Sequence, residues 1–182
     1  MSNDHADGTI MSSLSHDAGA TQRSWISPAS LLKLVGSLAV CFGAAALGSL
    51  MTMPSIPTWY AELEKPFFSP PNWVFAPVWT VLYALMAIAF WRVWMLGRGA
   101  ALQAAALAFA VQLALNVAWS GAFFGLHAPG LALIDIVALI LAIIATMSAV
   151  ARIDGRATWM LAPYLAWVSF ATALNAAVWW LN

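Results

Sequence analysis

The sequence predicts an all-α membrane protein, a bundle of five transmembrane helices. Three observations lead there. Of the 182 residues, 63% are apolar and only 8% carry charge, against about 45–50% and about 25% in a soluble domain. The apolar residues gather in five stretches of about 20 residues or more, the length a helix needs to cross about 30 Å of hydrocarbon. No stretch alternates with period two, as the strands of a membrane barrel would. Mean hydropathy is +0.85. A soluble enzyme, a nucleic-acid binder and a disordered chain are excluded by this composition and by a net charge of zero. The single cysteine, Cys41, excludes an intramolecular disulfide and a cysteine-based metal cluster.

Residues 1–24 are rich in Ser, Asp and Gly without apolar periodicity, and are expected to form a disordered polar tail. The apolar run after them starts too late and runs too long for a signal peptide. Residues 25–182 are expected to form the transmembrane domain, with spans at about 28–53, 75–95, 101–124, 130–150 and 158–181. Pro54, Pro57, Pro66, Pro70 and Pro71 end the first span and shape a long loop one, 54–74. Gly97 and Gly99 separate spans two and three, Pro129 and Gly130 separate three and four, and Asp154 and Gly155 separate four and five.

Charge placement supports five spans independently. With an odd number, Arg23, Lys33, Arg92, Arg98, Arg152 and Arg156 share one side, and only Lys65 of loop one lies on the other. The positive-inside rule then puts the N-terminus in the cytoplasm and loop one and the C-terminus opposite, as in ordinary inner-membrane insertion. Trp25, Trp91, Trp94, Trp159, Trp179 and Trp180 fall near span ends and read as interfacial anchors.

Polar and aromatic residues inside the spans fall into stripes. Trp79 and Tyr83 are four apart on helix two. Gln112 and Asn116 are four apart on helix three, with Trp119 and Ser120 a turn on. Trp167, Ala171 and Asn175 share a face of helix five, beside Thr172. Such stripes fit either interhelical packing and hydrogen bonding or an aromatic cavity for a flat apolar ligand. Asp135, the only acid within a span, sits in the first turns of helix four, where a structural role with an amide partner on helix three is expected. His5 and His16 lie in the tail, and His127 stands alone in loop three, where a histidine is more often not a haem ligand. No phosphate loop, metal-ligand spacing or catalytic triad is present, so no metal site and no conventional catalytic residue is assigned.

One segment is more particular. It reads Trp59-Tyr60-Ala61-Glu62-Leu63-Glu64-Lys65-Pro66-Phe67-Phe68-Ser69-Pro70-Pro71-Asn72-Trp73, then Pro77-Val78-Trp79-Thr80 and Leu82-Tyr83. It resembles a segment of the translocator protein family, also called the tryptophan-rich sensory protein, TspO/MBR or peripheral benzodiazepine receptor family. Gln112-Leu113-Ala114-Leu115-Asn116-Val117-Ala118-Trp119-Ser120 with Phe123-Phe124-Gly125 is similar to a second family motif. Pro163-Tyr164-Leu165-Ala166-Trp167 with Phe170-Ala171-Thr172 and Leu174-Asn175 is similar to a third. The resemblance runs from about helix one to the C-terminus.

The resemblance implies a five-helix bundle, often a homodimer, with a ligand cavity under loop one. It implies porphyrins such as protoporphyrin IX and haem, sterols and benzodiazepine-type drugs as ligands, with no cofactor required. By motif position, the cavity residues would be Trp79, Tyr83, Asn116, Trp119, Trp167 and Ala171, and Trp59 and Trp73 would belong to a loop-one lid. The expected function is a porphyrin- or haem-binding membrane transporter or sensor. The alternative is a light- and oxygen-dependent porphyrin-degrading catalyst that uses Trp79 and Trp167. Some bacterial members are reported in the outer membrane. Two positions depart from the family pattern. The end of helix five lacks the aromatic-then-basic pair of the sterol motif, and Leu107 and Val111 replace a small pair used at some dimer interfaces. Ala44 and Gly48 on helix one offer another small pair.

Overall fold

The computed structural model describes Trp25 and residues 27–182. The tail expected over residues 1–24 lies outside the described residues. The described residues divide into two units, the first ending at residue 31 and the second running from 32 to 182. In the first, Ser27 caps a helix start: its Oγ accepts from the Ser30 N–H at 3.2 Å, with Pro28 as the first helical residue.

Five helices are long and apolar enough to cross a membrane, and no strand occurs among the described residues. The α-helices of the described residues are, in chain order, α1 (Pro28–Thr52), a short α2 in loop one (Trp59–Glu62), α3 (Phe75–Leu96), α4 (Gly99–Ser120), α5 (Pro129–Ala151), α6 (Gly155–Met160) and α7 (Ala162–Leu181), α6 and α7 together making the fifth span. A 3-10 turn, Asn72–Val74, leads into α3, and a π turn, Gly121–Gly125, extends α4. The fifth span starts at Gly155 rather than near 158 and breaks at Leu161. Pro163 has no N–H to give the preceding turn, so the helix restarts as α7 with the proline in its first turn.

The second unit, residues 32–182, packs α5 against both α4 and α7, and α3 against α4 and α6. Its core interleaves Met86 and Val93 of α3, Phe109 of α4, Ile136, Leu139 and Ile143 of α5, and Tyr164 and Val168 of α7. Phe90 and Phe109 stack at 4.6 Å. α1 leans on α4 where small residues allow it: a Cβ on Gly48 would sit 3.1 Å from Ser120 Oγ. The Ala44–Gly48 pair therefore packs within its own chain. Leu107 and Val111 face outward, 68% and 45% exposed, with Leu50, Ile134 and Leu141. Such large apolar side chains face outward at little cost when the solvent is lipid.

One end of the bundle is tied by polar contacts, and the other is closed over an apolar cluster. At one end Arg92 Nε donates to Asp154 Oδ2 at 2.6 Å, and Lys33 Nζ donates to the Trp94 carbonyl at 3.3 Å. The turn between α3 and α4 needs its glycines. Gly99 has φ +52°, and a Cβ on Gly97 would lie 2.8 Å from the Val93 carbonyl. At the other end loop one folds over Phe123, Ala132 and Val178, with Tyr60 as its buried centre. Of the expected anchors, Trp159 and Trp180 are 78% and 85% exposed.

Candidate functional site

The three stripes converge. Trp79 and Tyr83 lie one turn apart on α3, their rings 5.5 Å apart. Asn116 and Trp119 project from α4, and Trp167, Ala171 and Asn175 from α7, all toward one cavity of about 460 Å³. That volume falls within the range of about 300–1,000 Å³ usual for small-molecule sites. All six cavity residues expected from the sequence line it.

Two buried amides hold the walls. Asn116 Oδ1 accepts from the Tyr83 hydroxyl, and Asn116 Nδ2 donates to Tyr164 Oη at 3.0 Å. One side chain thus joins α3, α4 and α7. Asn175 Oδ1 accepts from Trp119 Nε1 at 3.0 Å, and its Nδ2 donates to the Pro129 carbonyl at 2.8 Å. This second amide joins α7, α4 and the start of α5. The same residues thus do two things: the amides bond between helices, and the aromatic side chains beside them line the cavity.

The π turn shapes the upper wall. Its wide turn is closed by the Leu126 N–H donating to the Gly121 carbonyl at 2.8 Å. The extra residue per turn swings Phe123 and Phe124 round. Phe123 stacks on Trp119 at 5.3 Å, and both phenylalanines line the cavity.

Loop one is the roof, and Trp59 and Trp73, expected in its lid, do not themselves line the cavity. Met53, Ile56, Tyr60 and Asn72 line the cavity. Trp59 instead packs edge-on against Phe123 at 5.6 Å and lines a separate open pocket, and Trp73 is 74% exposed at the head of α3. Tyr60 is placed by its surroundings. Lys65 Nζ lies 4.6 Å over its ring, and burial pushes the phenol above its ordinary 10.0, against a smaller lowering by a bond to Ser69. The α1 wall, Phe42, Ala45 and Ser49, also went unread in the sequence. Ser49 and Thr52 are three apart there, but no amide or tryptophan marks the face, and only the tertiary approach of α1 brings it to the cavity.

Among the described residues no Asp, Glu, Lys, Arg or His lines the cavity, and no group of three potential metal ligands occurs. The site offers apolar aromatic faces and neutral hydrogen-bonding groups. Two further polar residues sit elsewhere in the bundle. Gln112 is buried, with Nε2 3.9 Å from Met86 Sδ, and its Oε1 has no hydrogen-bond partner among the described residues. Asp135 Oδ2 has none either, so the amide partner expected for it is not found at that oxygen.

Comparison with known proteins agrees with this architecture. The TspO/MBR family model matches residues 37–181. The tryptophan-rich protein TspO of Archaeoglobus fulgidus is 44% identical over 152 residues, covering 84% of this chain and 98% of the relative. The tryptophan-rich sensory protein of Cereibacter sphaeroides is 40% identical over 146 residues, covering 80% and 88%. The human translocator protein is 41% identical over 124 residues, covering 66% and 73%. With five apolar spans, an aromatic cavity lined by four of the helices and a family match over nearly all the described residues, the chain belongs to the TspO/MBR family of multi-pass membrane proteins.

Proposed function

We propose that this protein binds a porphyrin-type tetrapyrrole in the cavity and acts as a membrane transporter or sensor for it. One observation carries the reading: aromatic side chains from four helices, α1, α3, α4 and α7, converge on a roofed cavity that no charged side chain among the described residues enters. A flat macrocycle gains stacking area from Trp79 and Trp167, while the Asn116 and Asn175 amides offer a polar edge. Its carboxylates point to the loop-one end, nearest water. The family relatives named for sensing and translocation support the same class of role. The protein sits in the inner membrane as a homodimer, with its N-terminus in the cytoplasm.

The test is a titration of the detergent-purified protein with protoporphyrin IX in the dark, read by Trp fluorescence, beside a Trp79→Phe/Trp167→Phe double variant. Saturable quenching is expected, with affinity weakened about threefold to tenfold in the variant, as two stacking faces reduced from indole to phenyl at about 0.5 kcal/mol or more each imply. Non-saturable quenching, equal in both proteins, would mean that the porphyrin only partitions into the micelle, and the proposal would fall.

A further inference from the structure

Loop one is fastened to the bundle at two places outside the cavity. At the first, Ser55 Oγ donates to the Phe124 carbonyl at 2.7 Å and lies 3.3 Å from His127 Nε2. The serine has one proton, and the carbonyl takes it. The imidazole must therefore be the donor, so Nε2 carries the ring proton. The same ring stacks on Trp59 at 4.4 Å, with an interplanar angle of 14°. His127 thus grips loop one at Ser55 and again at Trp59, on either side of Ile56.

At the second place, the Glu64 N–H donates to Asn182 Oδ1 at 3.0 Å, and Asn182 Nδ2 donates back to the Glu64 carbonyl at 3.1 Å. This is the paired bonding of two strands, with a side-chain amide in place of one backbone. Asn182 Nδ2 also reaches the Val178 carbonyl at 2.9 Å, which ties the amide to α7. Ile56 and Tyr60, the roof of the cavity, lie between the two fasteners along the chain. Neither His127 nor Asn182 lines the cavity. Both line a separate open pocket of about 520 Å³.

We propose that His127 and Asn182 are latch residues: they hold loop one shut over the cavity and set how long a ligand stays there. The proposal rests on the cavity holding a ligand, as inferred above. A latch that never touches the ligand stabilises the closed loop equally with the cavity full or empty. Loosening it speeds binding and release by the same factor and leaves affinity unchanged. Each fastener is worth a hydrogen bond or two, so losing one should raise the open population about threefold to tenfold.

Two readouts test this on the full chain in nanodiscs. The first needs no ligand: hydrogen–deuterium exchange of residues 55–64 in His127→Asn and Asn182→Ala. Asparagine suits the φ of 53° at position 127, so the substitution adds no backbone strain. Exchange in that segment should rise threefold to tenfold in each variant, with α4 and α5 unchanged. Unchanged exchange in the segment, or an equal rise throughout the bundle, overturns the proposal. The second is stopped-flow mixing with protoporphyrin IX in the dark. Association and dissociation rates should rise together, with Kd within twofold of the parent. A faster dissociation alone, with a weaker Kd, would make these residues ligand contacts and overturn the latch. If the parent protein binds no porphyrin, the proposed function fails, and the exchange measurement still decides the latch.

Discussion

Asn116 holds two phenols with one amide, and the chemistry allows little exchange there. Its oxygen serves Tyr83 and its nitrogen serves Tyr164, with only 4% of the residue exposed. Leucine would fill a similar volume, yet it is no more apolar than the surrounding lipid, so burying it gains little between membrane helices. The loss is then the polar one. An interhelical bond in a membrane is worth about 0.6 kcal/mol on average and about 1.7 at most, and an orphaned buried group costs about 1–3 kcal/mol. Asn116→Leu is therefore expected to lose about 2–3 kcal/mol in a reversible SDS-unfolding series, while Ala118→Leu, on the exposed side of the same helix, stays within about 0.5 kcal/mol. Equal losses for the two would show that the amide carries no special share of the packing. The spacing of Tyr83, Asn116 and Trp119 was legible in the sequence. Their partners were not, because Tyr164 and Asn175 reach them only once three helices are assembled.

At the scale of elements, Asp154 joins the turn between α5 and α6 to the end of α3. Its Oδ1 caps α6 by accepting from the Arg156 N–H at 3.0 Å, while Oδ2 takes the Arg92 guanidinium. Burial by itself would raise this carboxyl. The Arg92 bond and the Arg156 amide outweigh it and hold the carboxyl below its ordinary 3.8. A depressed folded value means that the contribution is complete above pH 3.8 and is lost as the pH falls through the folded value. Asp154→Ala is expected to cost about 2 kcal/mol at pH 7. In unfolding measured between pH 7 and pH 3, the gap between variant and parent should begin to narrow only below pH 3.8. A gap that stays constant to pH 3 would remove the charge from the account. The sequence marked Asp154 as a loop break and no more, since its partner lies on a helix 62 residues earlier. Five spans and their order were readable because length and hydropathy suffice for them. The π turn, the break before Pro163 and the cavity-facing members of loop one were not, because each depends on backbone closure against a neighbouring element.

For the whole molecule, the charges bear directly on orientation in the membrane. Lys33 and Arg92 bond at the end that holds Asp154, and Arg98, Arg152 and Arg156 are exposed in the turns there. At the opposite end loop one carries a single cation, Lys65, beside Glu62 and Glu64. Cationic loops resist translocation, so the end with Arg98 and Arg152 is expected to stay in the cytoplasm and the roof of the cavity to face away from it. Cys41 is fully buried, and replacing it by Ala leaves a cysteine-free chain for labelling. In that chain, Ala61→Cys in loop one should react with a membrane-impermeant maleimide on intact spheroplasts. Ala100→Cys, at the start of α4, should react only after lysis. Both positions are exposed, so access to the thiol does not limit either reaction. Replacing Arg98, Arg152 and Arg156 by Ala should blur the asymmetry, with both cysteines partly labelled before lysis. Labelling of Ala100→Cys on intact spheroplasts as fast as Ala61→Cys, with all charges in place, would reverse the assignment. The lid would then open toward the cytoplasm, and a ligand reaching the cavity through loop one would have to come from that compartment.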